Sequence, residues 1–514
     1  MGTTTTRTYR AVAGTVTSFM QYGLLMVLQF VLAPVVLRAA GQEVLGAYSF
    51  LMQIVSWATL TDLGFGVAIG RNLAQAVGID DQRQRFRKIF ITGRTFYIAS
   101  NLAFAGLVFI MGWKINIMLP MSYNIENEAR LSLYLLAIWV VIRTPVSLFA
   151  DALIATQNIA AVNIIVAVGN ALRLILSLGL VALGTSLIGL MLATIIAEAA
   201  MFIMQRAWYY RCYPEDKFGW GIPDQVLFWE MLGFGLTYMV MIVAGRLSAS
   251  TDSIIVGHFY GAAAVSIYYI SQTPGSTLYQ LIWKLTDNSA PAFNELYARQ
   301  ASSQLNNAYL RLLRYSLLLV IPLSVGLIGY NRWAITIWMG QVQYAGDILT
   351  ITLAVFAITQ VIIHLNAIIL VAYGNIRLMS VFGLCGGVVK VLLAIWLSRT
   401  IGLQGVMLAN MIVDLPGLIF FSHLVWRLLG LDSRQVYRRA IIPAISASLF
   451  TLPVLFWVIT NPPATSLPSF IIWVVIFALM WTLGTGSFGL PASERTQLFY
   501  FIKRTLVPAL GKKI

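Results

Sequence analysis

Long apolar runs alternate with short polar ones along nearly the whole chain. About 20 apolar residues at 1.5 Å rise each are enough to cross a bilayer as a helix. Fourteen such stretches can be drawn, at about 12–37, 44–70, 89–112, 131–153, 161–183, 187–206, 228–250, 253–282, 309–330, 347–372, 379–397, 404–426, 441–459 and 469–488. No ten-residue alternation of apolar and polar positions marks the strands of a membrane barrel. The pattern predicts an all-α polytopic membrane protein with about fourteen transmembrane helices. The polar start, MGTTTTRTYR, runs into an apolar segment too long for the core of a cleaved signal peptide, so that segment is read as the first span.

Composition sharpens this picture. Only 10% of the 514 residues are charged and 59% are hydrophobic, whereas a soluble chain carries about 25% charge. The net charge of +15 raises nucleic acid as a partner, but the basic residues fall at span ends. With the N-terminus inside, most of the 34 Lys and Arg lie on cytoplasmic segments, as the positive-inside rule requires. The richest clusters are Arg83, Arg85, Arg87 and Lys88; Arg427, Arg434, Arg438 and Arg439; and Lys503, Arg504, Lys512 and Lys513. Anchoring to anionic lipid headgroups accounts for them. Membrane lipid is therefore the expected partner, and nucleic acid is not. Cys212 and Cys385 have neither zinc spacing nor the number for a disulfide framework. The outer loops are short, so no extramembrane domain is expected. The stretch 284–308 is read as containing an interfacial helix.

The chain repeats itself. GLMLATIIAE at 189–198 recurs as GVMLANMIVD at 405–414, each closing on an acid. ATQNIAAVN at 155–163 lies over AYGNIRLMS at 372–380, which places Asn158 on Asn375 and Arg173 on Lys390. GQEVLGAY at 41–48 lies over GAAAVSIY at 261–268. Three matches at a nearly constant offset indicate duplication of a six-span unit. Six is even, so both copies start on the same side and form parallel repeats. The expected organisation is an N-lobe at 1–206 (spans 1–6), a cytoplasmic linker at 207–226 and a C-lobe at 227–428 (spans 7–12). Spans 13 and 14 at 429–490 and a basic cytoplasmic tail at 491–514 follow. Two such lobes enclose a central cleft, the place where transporters hold substrate.

Ionisable side chains at mid-bilayer cost about 2.5–3.5 kcal/mol on insertion scales and default to a functional hypothesis. Arg173 falls near the middle of span 5 and Glu198 of span 6; Lys390 and Asp414 take the matching places in spans 11 and 12. Arg94, Arg143, Asp151, Glu230 and Arg246 are further candidates, and Asp62 sits near the inner end of span 2. Three readings stand side by side: structural ion pairs Arg173–Glu198 and Lys390–Asp414, proton or cation coupling through the carboxylates, and a basic lining for an anionic substrate. Prolines interrupt spans 1, 4, 8, 9 and 12 at Pro34, Pro145, Pro274, Pro322 and Pro416. Of these, Pro34 and the Pro274-Gly275 pair are the expected hinges. The histidines, His258, His364 and His423, lie in separate spans and form no metal signature, so neither metal nor cofactor is expected. There is no GxxxxGK[ST] loop, so the chain does not hydrolyse ATP itself.

Span 2, YSFLMQIVSWATLTDLGFGVAIGRNLAQA, carries an acid–Leu–Gly–x–Gly turn and an Arg71-Asn72 exit. TDSIIVGHFYGAAAVSIYYISQTP, with APAFNELYA beyond it, follows the same likeness. On these segments the chain resembles the Wzx-type lipid-linked oligosaccharide flippases of the multidrug/oligosaccharidyl-lipid/polysaccharide (MOP) exporter superfamily, over about residues 12–430. The resemblance implies a non-enzymatic transporter of the bacterial cytoplasmic membrane with both termini cytoplasmic. Its substrate would be a polyprenyl-diphosphate oligosaccharide, a precursor of O-antigen or exopolysaccharide, moved to the periplasmic leaflet by alternating access. It also implies coupling to protons or sodium and work alongside polysaccharide polymerase or export machinery. Cations of the cavity would meet the diphosphate, which points to Arg143, Arg173, Arg246 and Lys390; Asp62, Glu198 and Asp414 would carry the coupling ion. The alternatives are a multidrug or toxin antiporter of the same superfamily, whose cationic drugs would want acidic and aromatic walls, and a membrane glycosyl or acyl transferase. The transferase would want a large outer loop, which this chain lacks. A purely structural scaffold would leave the buried charges unexplained.

Overall fold

The structure, a computed structural model, describes residues 4–57, 65–76, 82–215, 219–460, 466–492 and 494–496. Nineteen helices occupy almost all of these, and there is no strand among the described residues. In chain order the first six are α1 (Thr4–Ala40), α2 (Gln42–Trp57), α3 (Phe65–Ala76), α4 (Gln82–Trp113), α5 (Ile115–Met118) and α6 (Tyr123–Ala155). Then come α7 (Ile159–Ala182), α8 (Leu187–Cys212), α9 (Gln225–Ala249), α10 (Asp252–Asp287), α11 (Ala290–Ala298) and α12 (Ser302–Met339). The last are α13 (Asp347–Ala372), α14 (Ile376–Ile401), α15 (Gln404–Leu428), α16 (Ser433–Val436), α17 (Ile442–Leu449), α18 (Leu452–Thr460) and α19 (Leu467–Gly484).

Ten helical stretches are long and apolar enough to cross a membrane, or twelve if each of two bent pairs counts as one span. Those pairs are the halves of α6, bent by 45° around residue 145, where the sequence has a proline, and Ser433–Leu449 with Leu452–Thr460, bent by 41°. Two differences bring this number into line with fourteen. The second expected span crosses residues 58–64, which lie outside the described residues. The seventh and eighth expected spans run on as one stretch, Ile242–Ala298. The chain is thus a multi-pass membrane protein. Large side chains such as Leu107, Ile175, Leu392 and Phe456 are more than half exposed, as lipid-facing positions are.

The turn between spans 7 and 8 is not where hydropathy places it. The polar run at 250–253 looks like the loop, but α9 and α10 are separated there only by Ser250 and Thr251. The reversal lies inside α10, at Gly261, whose φ of 78° and ψ of 178° are not helical. Tyr268 Oη donates a 2.8 Å hydrogen bond to Asp252 Oδ2. In a straight helix sixteen residues would separate these two by about 24 Å, so the chain must fold back between them. Span 7 is therefore a long helix, broken at 250–251, that ends at Gly261. A side chain there would also press on the carbonyl of Pro120, at 2.9 Å from its Cβ, so glycine is required twice over.

The same backbone signs recur in both halves of the chain. Left-handed residues occur at Gly41 and Gly261, at Gln157 and Gly374, and at Gly184 and Gly402. The turn after α6 is closed by Asn158 N to Leu153 O (2.8 Å) and Gln157 N to Ile154 O (3.0 Å). The turn after α13 repeats it with Asn375 N to Leu370 O (2.9 Å) and Gly374 N to Val371 O (3.0 Å). Both are Schellman caps, spaced as the sequence repeat is.

Contacts divide the chain into two compact units. The first comprises Met1–Ile270 and Arg377–Ala409, the second Ser271–Ile376 and Asn410–Ile514. In the first, α1 packs on α7, and α6 packs on α4 and α8. Gly46 lets α2 and the post-turn part of α10 meet backbone to backbone: a Cβ there would lie 1.7 Å from Ala262 O. In the second, α12 packs against α13, α17, α18 and α19. Tyr330, Trp333, Val454, Val458 and Phe477 form an apolar cluster that binds span 13 and span 14 to α12.

Candidate functional site

The buried ionisable groups form separate clusters, and their pairing differs from that expected. In the first unit α6 presents Trp139 and Arg143, one turn apart, to Glu198 of α8. Trp139 Nε1 donates to Glu198 Oε2 at 2.8 Å, and Arg143 Nη1 lies 3.5 Å from the same oxygen. Arg143 and Glu198 are 19% and 21% exposed at the side chain. The partner of Glu198 is thus Arg143, not Arg173. The i, i+4 spacing of Trp139 and Arg143 puts both on one helix face, a signal the sequence held and pairing by repeat overlooked.

Lys390 of α14 likewise ignores Asp414. Its Nζ lies 3.2 Å from Asp252 Oδ1, with side-chain exposures of 4% and 10%. The separation is that of an ion pair, without the alignment of a hydrogen bond. Asp252 opens α10 just past the break in span 7, and Tyr268 holds its other oxygen. Tyr268 is fully buried and also reaches Met407 Sδ at 3.7 Å. Trp57 Nε1 donates at 3.0 Å to the carbonyl of Ser250, within the break. Hydropathy alone places Asp252 in a loop. The match of 41–48 with 261–268 already placed the turn at 261, and so placed Asp252 inside a span.

Arg173 of α7 is partly buried. Its Nε is buried without a hydrogen-bond partner, and it belongs to no ion pair among the described residues. The repeat explains why. Lys390, its counterpart, takes its carboxylate from the seventh span; the first span, α1, carries no acid at all. Among the described residues, the N-terminal copy therefore keeps a cation that the C-terminal copy neutralises.

In the second unit Gln360 Nε2 donates to Asp414 Oδ2. One turn further along α13, His364 Nε2 meets Asp287 Oδ1 at 2.7 Å and stacks on Trp283 at 4.5 Å. The other described candidates divide. Arg94 Nη2 donates to Gly219 O at 2.7 Å, and its guanidinium lies 4.2 Å from the Trp220 ring, so it fastens the segment between α8 and α9. Glu230 is exposed, while Asp151 and Arg246 are half-buried. Asp62 lies outside the described residues. Pro34 lies inside α1 and Pro274 inside α10. Gly275 lets α10 approach α13: a Cβ there would come within 2.6 Å of Leu353. No group of three or more His, Cys, Asp or Glu able to hold a metal occurs among the described residues.

A half-buried cation with no carboxylate partner among the described residues and several paired ones thus sit on a multi-pass helical scaffold. The lipid II flippase MurJ in an inward closed conformation superposes with a TM-score of 0.68 at 15% identity, over 92% of this chain and 98% of that one. A multidrug resistance MATE family transporter of the MOP superfamily, inward-facing, gives 0.65 at 15% identity over 82% and 99%. A MOP superfamily transporter from Pyrococcus furiosus, described as having a binding pocket of reverse polarity, gives 0.57 at 12% over 82% and 96%. At these identities the likeness is one of fold. Teichuronic acid biosynthesis protein TuaB of Bacillus subtilis (strain 168) is 23% identical over 202 residues, which are 39% of this chain. The match spans only 41% of TuaB. Residues 11–296, more than half of the sequence, match the family described as polysaccharide biosynthesis protein. The fold is that of the MOP superfamily, and the chain belongs to the polysaccharide biosynthesis protein family.

Proposed function

We propose that the protein is a flippase that moves a polyprenyl-diphosphate-linked oligosaccharide from the cytoplasmic to the periplasmic leaflet of the bacterial inner membrane. The observation that carries this reading is the asymmetry of the repeat: Lys390 is neutralised by Asp252, whereas Arg173 has no carboxylate partner among the described residues. A half-buried guanidinium with a buried Nε and no counter-ion among the described residues is costly. A diphosphate passing it would supply charge-assisted, bidentate hydrogen bonds. The lobes at 1–206 and 227–428 would alternate in access, with Pro34 and Pro274-Gly275 as hinges. The polyprenyl tail would stay in lipid, because each CH₂ withdrawn costs about 0.8 kcal/mol. A negative-inside potential would favour outward movement of the anionic head by about 2.3 kcal/mol per charge per 100 mV. Glu198, Asp414 or Asp62 would take the proton or cation that resets the cycle, and Asp252 joins them as a fourth candidate. Arg143 and Arg246 would complete the basic lining.

The test is reconstitution in sealed vesicles. Wild type should expose lipid-linked oligosaccharide in the far leaflet faster than protein-free vesicles do. The second reading, a cation antiporter, rests on the likeness to a multidrug transporter fold. Efflux of organic cations with no movement of lipid-linked sugar would establish it in place of the first.

A further inference from the structure

On the segment that joins α12 to α13, a cavity of about 530 Å³ opens within the second unit. Its walls come from the end of α12, the turn at Gln341–Gln343, the start of α13 and the end of α18. With both termini cytoplasmic, this segment lies on the outer face. The volume falls in the range of small-molecule sites, about 300–1,000 Å³.

The rim is built rather than loose. Gly340 (φ 93°) and Gly346 (φ 105°) bracket the segment. Ser271 clamps it twice, its Oγ donating to Gln343 O at 3.0 Å and accepting from Ala345 N at 2.8 Å. Tyr344 Oη donates to Asp347 Oδ1 at 2.7 Å and lies 3.0 Å from Thr350 Oγ1. Asn331, nearly fully buried, donates to the same Thr350 at 3.0 Å. Burial holds the Tyr344 phenol well above its ordinary range, and the neighbouring Asp347 adds to this; the Thr350 hydrogen bond and Arg332 act against it. The phenol is therefore a neutral donor at any physiological pH. Such a rim loses little entropy when it meets a ligand.

The chemistry of the lining selects the ligand. Of the lining, Arg332, Gln341 and Asp347 are exposed, Trp333 and Val458 are buried, and Tyr344 completes it. One cation stands against one carboxylate, so the site carries no net charge to attract a phosphate. Amide, guanidinium, carboxylate and phenol supply donors and acceptors in balance. An apolar floor under a balanced polar rim matches a sugar ring, which has an apolar C–H face and hydroxyls around its edge. We infer that this cavity is a binding site for a neutral saccharide. Because α18 belongs to span 13, the inference gives the spans outside the duplication a part in handling the glycan. It rests on the flippase reading only for the side on which the cavity opens; the binding itself does not depend on translocation.

The test is saturation-transfer NMR on the full chain in nanodiscs. Neutral oligosaccharides of hexose, N-acetylhexosamine and 6-deoxyhexose form one arm, and glycerol 1-phosphate forms the other. At least one oligosaccharide should saturate. Gln341→Ala and Asp347→Asn, both at exposed positions, should each weaken it by about five- to tenfold, the worth of one hydrogen bond. Translocation failing in vesicles while this binding persists would sink the flippase reading and leave the site standing. Absence of saturation by every oligosaccharide, saturation unchanged in both variants, or saturation by glycerol 1-phosphate alone would overturn the site.

Discussion

Replacing Lys390 by Met should do more damage than replacing Lys390 and Asp252 together. The ammonium and carboxylate lie 3.2 Å apart, with side-chain exposures of 4% and 10%. Taking an effective dielectric constant of about 20, their attraction is about 5 kcal/mol. Most of that offsets desolvation, which is several kcal/mol per ion. The pair therefore contributes little net stability, but each member needs the other. Lys390→Met leaves Asp252 charged in a buried site without its lysine, at a cost of about 3–5 kcal/mol. Asp252→Asn strands the lysine at a similar cost. The double variant leaves two neutral groups, and Tyr268 can still donate to the asparagine carbonyl, so it should lie within about 1 kcal/mol of wild type. Unfolding of the detergent-solubilised protein, read as a double-mutant cycle, should give a coupling energy of about 5 kcal/mol or more. Single variants that each lose under about 1 kcal/mol, or a double variant that loses the sum of both, would refute the reasoning and show the site to be wet.

Gly261→Ala should destabilise by about 1–3 kcal/mol, because its conformation is open essentially to glycine alone and the added carbon meets Pro120 O; folded yield and melting temperature check this. Gly46→Leu should abolish folding, since a Cβ already collides with Ala262 O, which a fluorescent-fusion size-exclusion profile would show. Glu198→Gln should keep the hydrogen bond from Trp139 while removing the charge facing Arg143, so the protein should fold; transport made insensitive to pH would mark Glu198 as a coupling group, and an unchanged pH profile would mark it as structural. Cys212 is exposed and should react with impermeant thiol reagents only from the cytoplasmic side; labelling in intact cells would invert the topology.

The helical, membrane-spanning architecture was legible because lipid imposes one rule on every segment: a long apolar run that satisfies its own backbone. The turn at 261 was not legible from hydropathy, since the polar run at 250–253 stands out more than a lone glycine in an apolar stretch. It was written in the repeat, where Gly261 falls on Gly41. Arg143, Glu198 and Lys390 stand out in the sequence, but Asp252, Asp287 and the pairings do not. Pairing depends on which helix faces meet, and apolar helices in lipid show no amphipathic stripe to reveal this. Glu198 turned to Arg143 because Trp139 and Arg143 share a face, and Lys390 turned to Asp252 because a broken helix delivers a carboxylate to it. Tyr268 and Gln360 gave no sequence signal; an uncharged side chain in a span is too common to single out.

The flippase reading carries the anionic head of the substrate past Arg173, the half-buried cation with no carboxylate partner among the described residues. The most direct measurement is the initial rate of lipid-linked oligosaccharide translocation in sealed proteoliposomes for wild type, Arg173→Lys and Arg173→Ala, each confirmed as folded. Near-complete loss is expected in Arg173→Ala and partial activity in Arg173→Lys, which keeps the charge but not the bidentate geometry. A folded Arg173→Ala protein that translocates at the wild-type rate would contradict it.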